Sequence, residues 1–233
     1  MINVDRIYQR VLTLANKEQR GYITPQEFNL FANQAQMDIF EQYFYDLNQF
    51  RRTPGNDTVH ADVVDIIEEK ISVFEQENTL TITSNIGSLA ALGNFYRLSS
   101  IREQNIFFEL VTKKEARMFQ LSPLTTPNTE RPVYTLDQAN HRVKLFGRTL
   151  NGTTVNVDYI RIPTTVNWTY VVVGEKALYN ANANDAQNFE LHPSEETELV
   201  LKILTLAGFT LKDPNLLQIA AGEDVKNIQQ EKQ

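Results

Sequence analysis

Apolar side chains in residues 1–76 recur at intervals of three or four, which is the period of an amphipathic helix. Thr24-Pro25-Gln26-Glu27 has the signature of a helix start, with threonine as the N-cap, proline at the first helical position and glutamate closing a capping box. Residues 51–57 form a strong turn signal. The pattern predicts three helices, carried by Val4, Ile7, Val11 and Leu14, then by Phe28, Phe31, Ala35, Ile39 and Tyr43, and then by Val59, Val63, Ile66, Ile67, Ile71 and Phe74.

From residue 79 to residue 173 the apolar period changes to two, which is typical of strands. Asn151-Gly152 between two strand-like runs predicts a hairpin turn. A short amphipathic helix is predicted over Lys113–Met118, and the last strand over Thr169–Val173. The other predicted strands contain Leu80 and Ile82, Phe95 to Leu98, Phe107 to Val111, Val133 to Leu136, Val143 and Leu145, and Val155 to Ile160.

The C-terminal part returns to a helical pattern. His192-Pro193-Ser194-Glu195-Glu196 places a proline, a capping hydroxyl and two carboxylates at a helix N-terminus, where the helix dipole favours negative charge. The helix that follows, over residues 196–207, is apolar nearly all round, and Gly208 is its expected stop. We therefore expect its outer face, including Leu201 and Leu204, to be buried by an adjacent subunit or by the N-terminal helices.

Asp213-Pro214 predicts the start of a second, short helix, and the residues from Glu223 to Gln233 form a polar tail. The tail has too little apolar surface to order by itself, so we expect it to be mobile in a free monomer. We expect it to become ordered only in an assembly, by docking on a neighbouring subunit or on a partner protein, with Val225 and Ile228 as small apolar anchors. The alternative is a solvated terminus of no consequence.

These elements predict an α+β fold, in which N-terminal and C-terminal helices pack with a central antiparallel β domain. The predicted boundaries give a helical region at 1–78, a β-rich insertion at 79–175, and C-terminal helices with the tail at 176–233. The first and third parts are expected to form one composite domain.

Charge and composition exclude several functional classes. The 233 residues include 22 Lys+Arg and 29 Asp+Glu, so 22 − 29 gives a net charge of −7, which argues against a general nucleic-acid-binding surface. The absence of cysteine excludes a disulfide scaffold, a thiol nucleophile and a thiolate zinc site. No stretch approaches the roughly 20 apolar residues of a membrane helix. The N-terminus lacks the pattern of a secretory signal, so we expect synthesis in the cytoplasm.

Residues 16–27 resemble an EF-hand loop, with Gly21 at position six, Ile23 at position eight and Glu27 at position twelve. Position one is the neutral Asn16 and position five is the cationic Arg20, where Ca²⁺ needs oxygen ligands. We interpret the loop, including Asn16, Glu18, Gly21 and Glu27, as a structural turn between two helices and predict no metal site. A Ca²⁺-responsive binding module built on this loop is the alternative from another functional class.

No catalytic constellation is recognisable in the sequence. His60, His141 and His192 lie on different predicted elements without metal-ligand spacing. Adjacent carboxylates such as Glu195 and Glu196 point about 100° apart on a helix, so they are unsuited to gripping one substrate. We therefore expect a protein that is not an enzyme and has no cofactor; a cell-wall hydrolase is disfavoured because neither a carboxylate pair nor a zinc set is present.

Several blocks of the sequence resemble structural proteins of tailed bacteriophages, notably marine and gut phages including the crAss-like group. The resemblance spans nearly the whole chain and is carried by residues 15–36 (ANKEQRGYITPQEFNLFANQAQ), 157–163 (VDYIRIP), 192–208 (HPSEETELVLKILTLAG) and 229–233 (QQEKQ). It is specific for a virion protein and less specific for the position within the virion. Members of this group are similar to components of the head-to-tail connector, the stacked rings between portal and tail.

The resemblance implies a non-enzymatic virion protein that forms a connector ring, an adaptor or neck component between portal and tail. Its implied partners are identical subunits, as a dodecamer, together with portal and tail proteins. Genomic DNA would pass through the ring without specific binding, in keeping with the acidic net charge. The alternative within the same virion is another tail or neck component.

Overall fold

The computed structural model describes residues 1–17, 23–52, 58–174 and 176–210, with the side chains of residues 16, 17, 52, 58–63, 209 and 210 outside the description. Within these ranges the chain has five α-helices, four of them near the two ends, and a large, mostly antiparallel sheet, which confirms the predicted α+β class. The chain divides into two compact units, Met1–Val73 with Pro163 onwards, and Phe74–Ile162.

In its described residues, the first unit contains four α-helices and a β-hairpin. The helices are α1 (Val4–Lys17), α2 (Pro25–Arg52), α3 (Thr58–Ser72) and α5 (Glu196–Thr210), and the hairpin strands are β9 (Tyr170–Val173) and β10 (Lys176–Tyr179). Its boundaries fall at 73/74 and 162/163, whereas those predicted from the sequence lie at 78/79 and 175/176. The first boundary differs because the first strand of the second unit begins at Glu75 with a polar, exposed stretch in which no apolar alternation marks a strand.

The core of the first unit follows the helical period. On α1 the buried side chains are Val4, Ile7, Tyr8, Val11 and Ala15, and on α2 they include Phe28, Ala32, Ala35, Ile39 and Phe40. Helix α5 packs against both α1 and α2 and buries Leu199, Val200, Ile203, Leu204 and Ala207. Its apolar circumference is thus largely covered by helices of its own chain.

Two details of α5 differ from the prediction. The helix continues through Gly208 to Thr210, so this glycine is an interior residue and not the helix stop. The short 3-10 turn before α5, Pro193–Glu195, is capped by the Nδ1 atom of His192, which accepts from the Ser194 backbone N–H at 3.3 Å. The expected serine hydroxyl cap is absent because Ser194 Oγ lies 2.8 Å from the same imidazole nitrogen.

The second unit is built on an eight-stranded sheet in the order β4-β3-β8-β1-β2-β7-β6-β5. All neighbouring strands are antiparallel except β5 and β6, which are parallel. One helix, α4 (Lys113–Leu121), contains the predicted Lys113–Met118 segment and begins with a capping box between Thr112 and Glu115. The strands are β1 (Glu75–Thr83), β2 (Ile86–Ser88), β3 (Phe95–Glu103), β4 (Ile106–Phe107), β5 (Glu109–Leu110), β6 (Val133–Asp137), β7 (Arg142–Phe146) and β8 (Thr153–Arg161).

The strand order corrects the predicted hairpin at Asn151-Gly152. A turn is present there, with Gly152 at φ +72°, but the strands on either side of it, β7 and β8, are not neighbours. The β1–β2 hairpin lies between them, turning at Ser84 and Asn85 with positive φ at both residues. Neither of these turn residues is glycine, so the tighter turn has the weaker sequence signal.

Candidate functional site

The hairpin β9–β10 exposes apolar side chains of a kind that usually fill a core. Val171, Val172, Val173 and Leu178 are 47%, 67%, 59% and 50% exposed. Directly paired residues in an antiparallel ladder lie on the same face of the sheet. Because Val171 pairs with Leu178 and Val173 with Lys176, these four residues share one face, while Val172 lies on the opposite face with Ala177.

The base of the hairpin is fixed to the first unit by Trp168. The buried indole stacks on the rings of both Tyr170 and Tyr179, each at a centroid separation of 5.8 Å. Its Nε1–H donates to Asp5 Oδ1 at 2.9 Å. The Thr169 hydroxyl donates to the Asn180 carbonyl at 2.6 Å, and the Asn180 N–H donates to the Thr169 carbonyl at 2.9 Å. An isolated two-stranded hairpin is marginal in water, so this aromatic and polar base holds it in place.

The segment that leads into the hairpin is held by a row of amide side chains on α2, which we call the amide row: Asn29, Asn33 and Gln36. Their spacing of four and three residues places them on one helix face. Asn33 donates through Nδ2 to the Val166 carbonyl at 2.9 Å and accepts from the Val166 N–H at 2.7 Å. Asn29 makes the same paired contacts with Trp168, at 3.3 and 2.8 Å.

Gln36 completes the amide row at its buried end. Its Nε2 donates to the Thr164 carbonyl at 2.9 Å, and its Oε1 accepts from the Glu190 N–H at 3.2 Å. The buried Glu190 carboxylate accepts from the Thr164 N–H at 2.8 Å and lies 3.1 Å from the Thr164 hydroxyl. Residues 164, 166 and 168 therefore obtain from side chains the hydrogen bonds that a neighbouring strand would otherwise supply, while Asn167 exchanges two backbone hydrogen bonds with Gln187. The segment that leads into the hairpin is thus held on both of its edges.

A groove of about 560 Å³ lies between α1 and α5. Its apolar lining comes from Leu14, Val200 and Leu201, and its rim carries Arg6 and Arg10. Both guanidiniums contact the same carboxylate oxygen, Glu196 Oε1, at 2.9 and 2.6 Å, so two positive charges share one negative charge. Leu201 thus lines an open groove, whereas Leu204 is only 5% exposed within its own chain.

A second opening, a cleft of about 330 Å³, lies in the sheet unit between α4 and the strands β6 and β7. Lys113, Arg117, Arg142 and Lys144 line it. Asp137 is its acidic member; it accepts from Asn140 and from Lys113 Nζ, and these contacts hold the pKa of Asp137 below its ordinary value. The excess of positive charge makes the cleft suited to an anion such as a phosphate or a carboxylate.

The EF-like loop is described at its two ends, while Glu18, Arg20 and Gly21 lie outside the described residues. Asn16 belongs to α1. Glu27 closes the predicted capping box, accepting from the Thr24 N–H at 2.9 Å, while the Glu27 N–H donates to Thr24 Oγ1 at 3.3 Å. These hydrogen bonds lower the pKa of the Glu27 carboxyl, with the backbone contribution the largest. The structural role of Glu27 is thereby explained, and the absence of Ca²⁺ binding stays a prediction.

The remaining candidate residues from the sequence do not come together in one site in the described part of the chain. Glu195 forms an ion pair with Lys70 at 2.6 Å, and Glu196 pairs with α1, so the two adjacent carboxylates serve different contacts. Val225 and Ile228, the proposed tail anchors, lie outside the described residues. In the described ranges, no group of three or more His, Asp or Glu side chains is placed to hold a metal ion. No helix within the same ranges is long and apolar enough to cross a membrane.

Sequence reasoning recognised β9 as a strand but missed both β10 and the exposure of the hairpin. The available signal was the run Tyr170-Val-Val-Val173, which has no polar alternation and therefore suits a strand covered on both faces. The amide row was missed as well, because its partners lie more than 120 residues away in the chain. No protein-family model matches the chain, and no curated protein matches it.

Proposed function

We propose that this chain is a non-enzymatic structural protein of a tailed-phage virion, which assembles with identical subunits into a ring of the head-to-tail connector. In this proposal the ring is an adaptor or neck element between portal and tail. Genomic DNA passes through its centre without being held by specific contacts. The sequence resemblance supplies the virion context of the proposal.

The exposed hairpin is the observation that carries the self-assembly part of the proposal. Val171, Val173 and Leu178 on one face of the hairpin, and Val172 on the other, are about half exposed to water within the described part of the chain. Exposed apolar patches of this kind mark surfaces that are covered in an assembly. The amide row and the stacking of Trp168 hold the hairpin in one orientation. The hairpin therefore loses little conformational entropy when a partner binds to it.

Net charge supports the proposed DNA passage. A ring of subunits that each carry −7 repels the phosphate backbone on average, so DNA can slide without a large release of counterions. The cationic cleft beside α4 is a local exception, and its size suits a single anionic group better than a length of duplex.

The experiment that tests the proposal is a measurement of assembly with the purified full chain. Sedimentation velocity over a wide concentration range, followed by negative-stain imaging of the largest species, is expected to give one discrete oligomer with a central hole. A chain that sediments as a monomer at every concentration would contradict self-assembly. Open filaments without closure would contradict the ring.

A further inference from the structure

The register of the hairpin determines which backbone N–H and C=O groups of β9 and β10 point away from the hairpin. Hydrogen-bonded and non-hydrogen-bonded pairs alternate along an antiparallel ladder. The Asn180 N–H bonds the Thr169 carbonyl, and the register then makes Val171 and Leu178 the next hydrogen-bonded pair. The backbone N–H and C=O groups of Val172 therefore point outwards from the β9 edge, and those of Ala177 point outwards from the β10 edge.

These edges lack the features that normally prevent strand addition. Natural edge strands are blunted by charges, prolines, bulges or a covering element. β9 has the sequence Tyr-Val-Val-Val with neither a charge nor a proline, and β10 has one charge, Lys176, at its turn end. The register of the four pairs is continuous, without a bulge. No backbone hydrogen bond joins the outer edge of either strand to another residue that the structure describes.

We propose that β10 of one subunit pairs antiparallel with β9 of the next copy of this chain, so that the hairpins form a continuous intersubunit sheet. The inference rests on the ring proposed above and names its contact. β9 and β10 run in opposite directions, so two hairpins placed side by side in the same orientation present β10 of one to β9 of the other as an antiparallel pair. Repetition of one orientation is what a head-to-tail ring generates by rotation.

A second copy fits the edges better than a single strand from another protein. Among the residues that the structure describes, nothing pairs with either outer edge of the hairpin, and a single added strand satisfies one edge and leaves its own outer edge open. Closure of a ring of hairpins pairs both edges of every subunit and leaves none. Side-chain chemistry agrees, because Val171, Val173 and Leu178 of successive copies would form one apolar band along a face of the sheet.

Proline substitution tests the edges one at a time. Proline is tolerated in a strand where the lost N–H faces outwards, so Val172→Pro blocks the β9 edge and Ala177→Pro blocks the β10 edge, while each leaves the bonds within the hairpin in place. Each variant keeps one free edge of the opposite kind. Sedimentation velocity is therefore expected to show the discrete oligomer for wild type, monomer for each proline variant, and a heterodimer but nothing larger for their equimolar mixture. Val172→Thr, which keeps the N–H, is the control and is expected to assemble like wild type.

Folding of each variant is monitored separately from assembly. Trp168 is the single tryptophan of the chain and stacks on both hairpin tyrosines, so unchanged emission together with an unchanged circular dichroism spectrum reports an intact hairpin base. If Val172→Pro fails this check, Val172→Lys and Ala177→Lys replace the proline pair, because an edge lysine blocks strand addition without removing a backbone donor.

Each outcome has a definite consequence. Proline variants that assemble like wild type overturn the inference but leave the proposed ring standing. Proline variants that assemble like wild type but melt at a lower temperature would indicate that the hairpin edge pairs with residues of the same chain. That result would also overturn the inference. Loss of assembly with Val172→Pro but not with Ala177→Pro would indicate twofold β9–β9 pairing, which contradicts the head-to-tail contact. A wild-type chain that is always monomeric contradicts both the inference and the proposed function.

Discussion

Side-chain amides in this protein make hydrogen bonds to the backbone of an extended segment that the backbone of a neighbouring strand usually makes. Asn29 and Asn33 each present a carbonyl and an NH₂ group to the N–H and C=O of one residue, Trp168 and Val166 respectively. The abundance of Asn and Gln suggests only a hydrated surface when the sequence is read by itself. The structure assigns part of it to holding an extended segment against a helix.

We predict that Asn33→Leu destabilises the fold by about 2 kcal/mol, because the N–H and C=O of Val166 are left without partners in a half-buried place. Urea unfolding monitored by circular dichroism measures the change. Asn48→Leu is the matched control, since the Asn48 amide donates to Phe44 on the exposed side of the same helix, and we expect a change within about 0.5 kcal/mol. Equal losses in the two variants would contradict the role of the amide row.

The capping box at Glu27 predicts a pH effect with a definite sign. Hydrogen bonds from Thr24 lower the pKa of Glu27 in the folded chain, so its contribution to stability is present above the unfolded pKa and is lost as the pH falls through the folded pKa. We expect Glu27→Gln to be less stable than wild type at pH 7, with a difference that shrinks below pH 4. Urea unfolding at the two pH values measures this, and a difference that grows on acidification would contradict the assignment. Thr24→Ala, which removes the cap itself, is expected to cost about 1 kcal/mol.

Helices and strands with local signals were predicted from the sequence, while elements that depend on distant partners were not. Thr24-Pro25-Gln26-Glu27 marks the start of α2 because all four residues act within one turn, and the structure forms that capping box. Gly208 fails as a stop signal because the packing of α5 on α1 and α2 outweighs the roughly 1 kcal/mol that an interior glycine costs. The pairing of β2 with β7 and of β1 with β8 joins residues more than 50 positions apart, and no periodicity encodes such a choice.

We predict that substitution by aspartate has different effects on stability at two leucines of helix α5, Leu201 and Leu204. Leu204 is buried by helices of its own chain, so Leu204→Asp is expected to destabilise the monomer by several kcal/mol through an unpaired buried charge. Leu201 lines the open groove, so we expect Leu201→Asp to fold and to weaken assembly only if this groove is covered by another subunit. Thermal melting separates the two variants. A Leu204→Asp chain that melts like wild type would contradict the packing described for α5.

At the scale of the whole molecule, the polar tail predicted from the sequence stays a prediction, because residues 211–233 lie outside the described part of the chain. We expect deletion of residues 224–233 to leave the melting temperature of the monomer unchanged and to reduce incorporation into particles, through loss of Val225 and Ile228 as anchors. Quantitative immunoblotting of purified particles measures incorporation. Normal incorporation of the truncated chain would make the tail a solvated terminus.

The fold of the molecule supports assembly in one specific way. The base of the apolar hairpin is held by Trp168, the single tryptophan of the chain. The two edges of the hairpin run in opposite directions, so the edge of one copy can pair antiparallel with the other edge of the next. A sequence pattern reveals the strand but not its exposure, since exposure depends on what the rest of the chain leaves uncovered. The hairpin edge, like the amide row, is therefore a part of the candidate site that could not be predicted from the sequence.

The central claim is that this chain forms a ring at the junction of head and tail. Reconstruction of the phage particle that encodes it, with the chain labelled by a specific antibody fragment, tests the claim most directly. We predict label on a closed ring between portal and tail, with density into which the four-helix unit and the eight-stranded sheet unit fit as separate bodies. Label on the capsid surface or on the distal tail, or particles without the chain, would contradict the account.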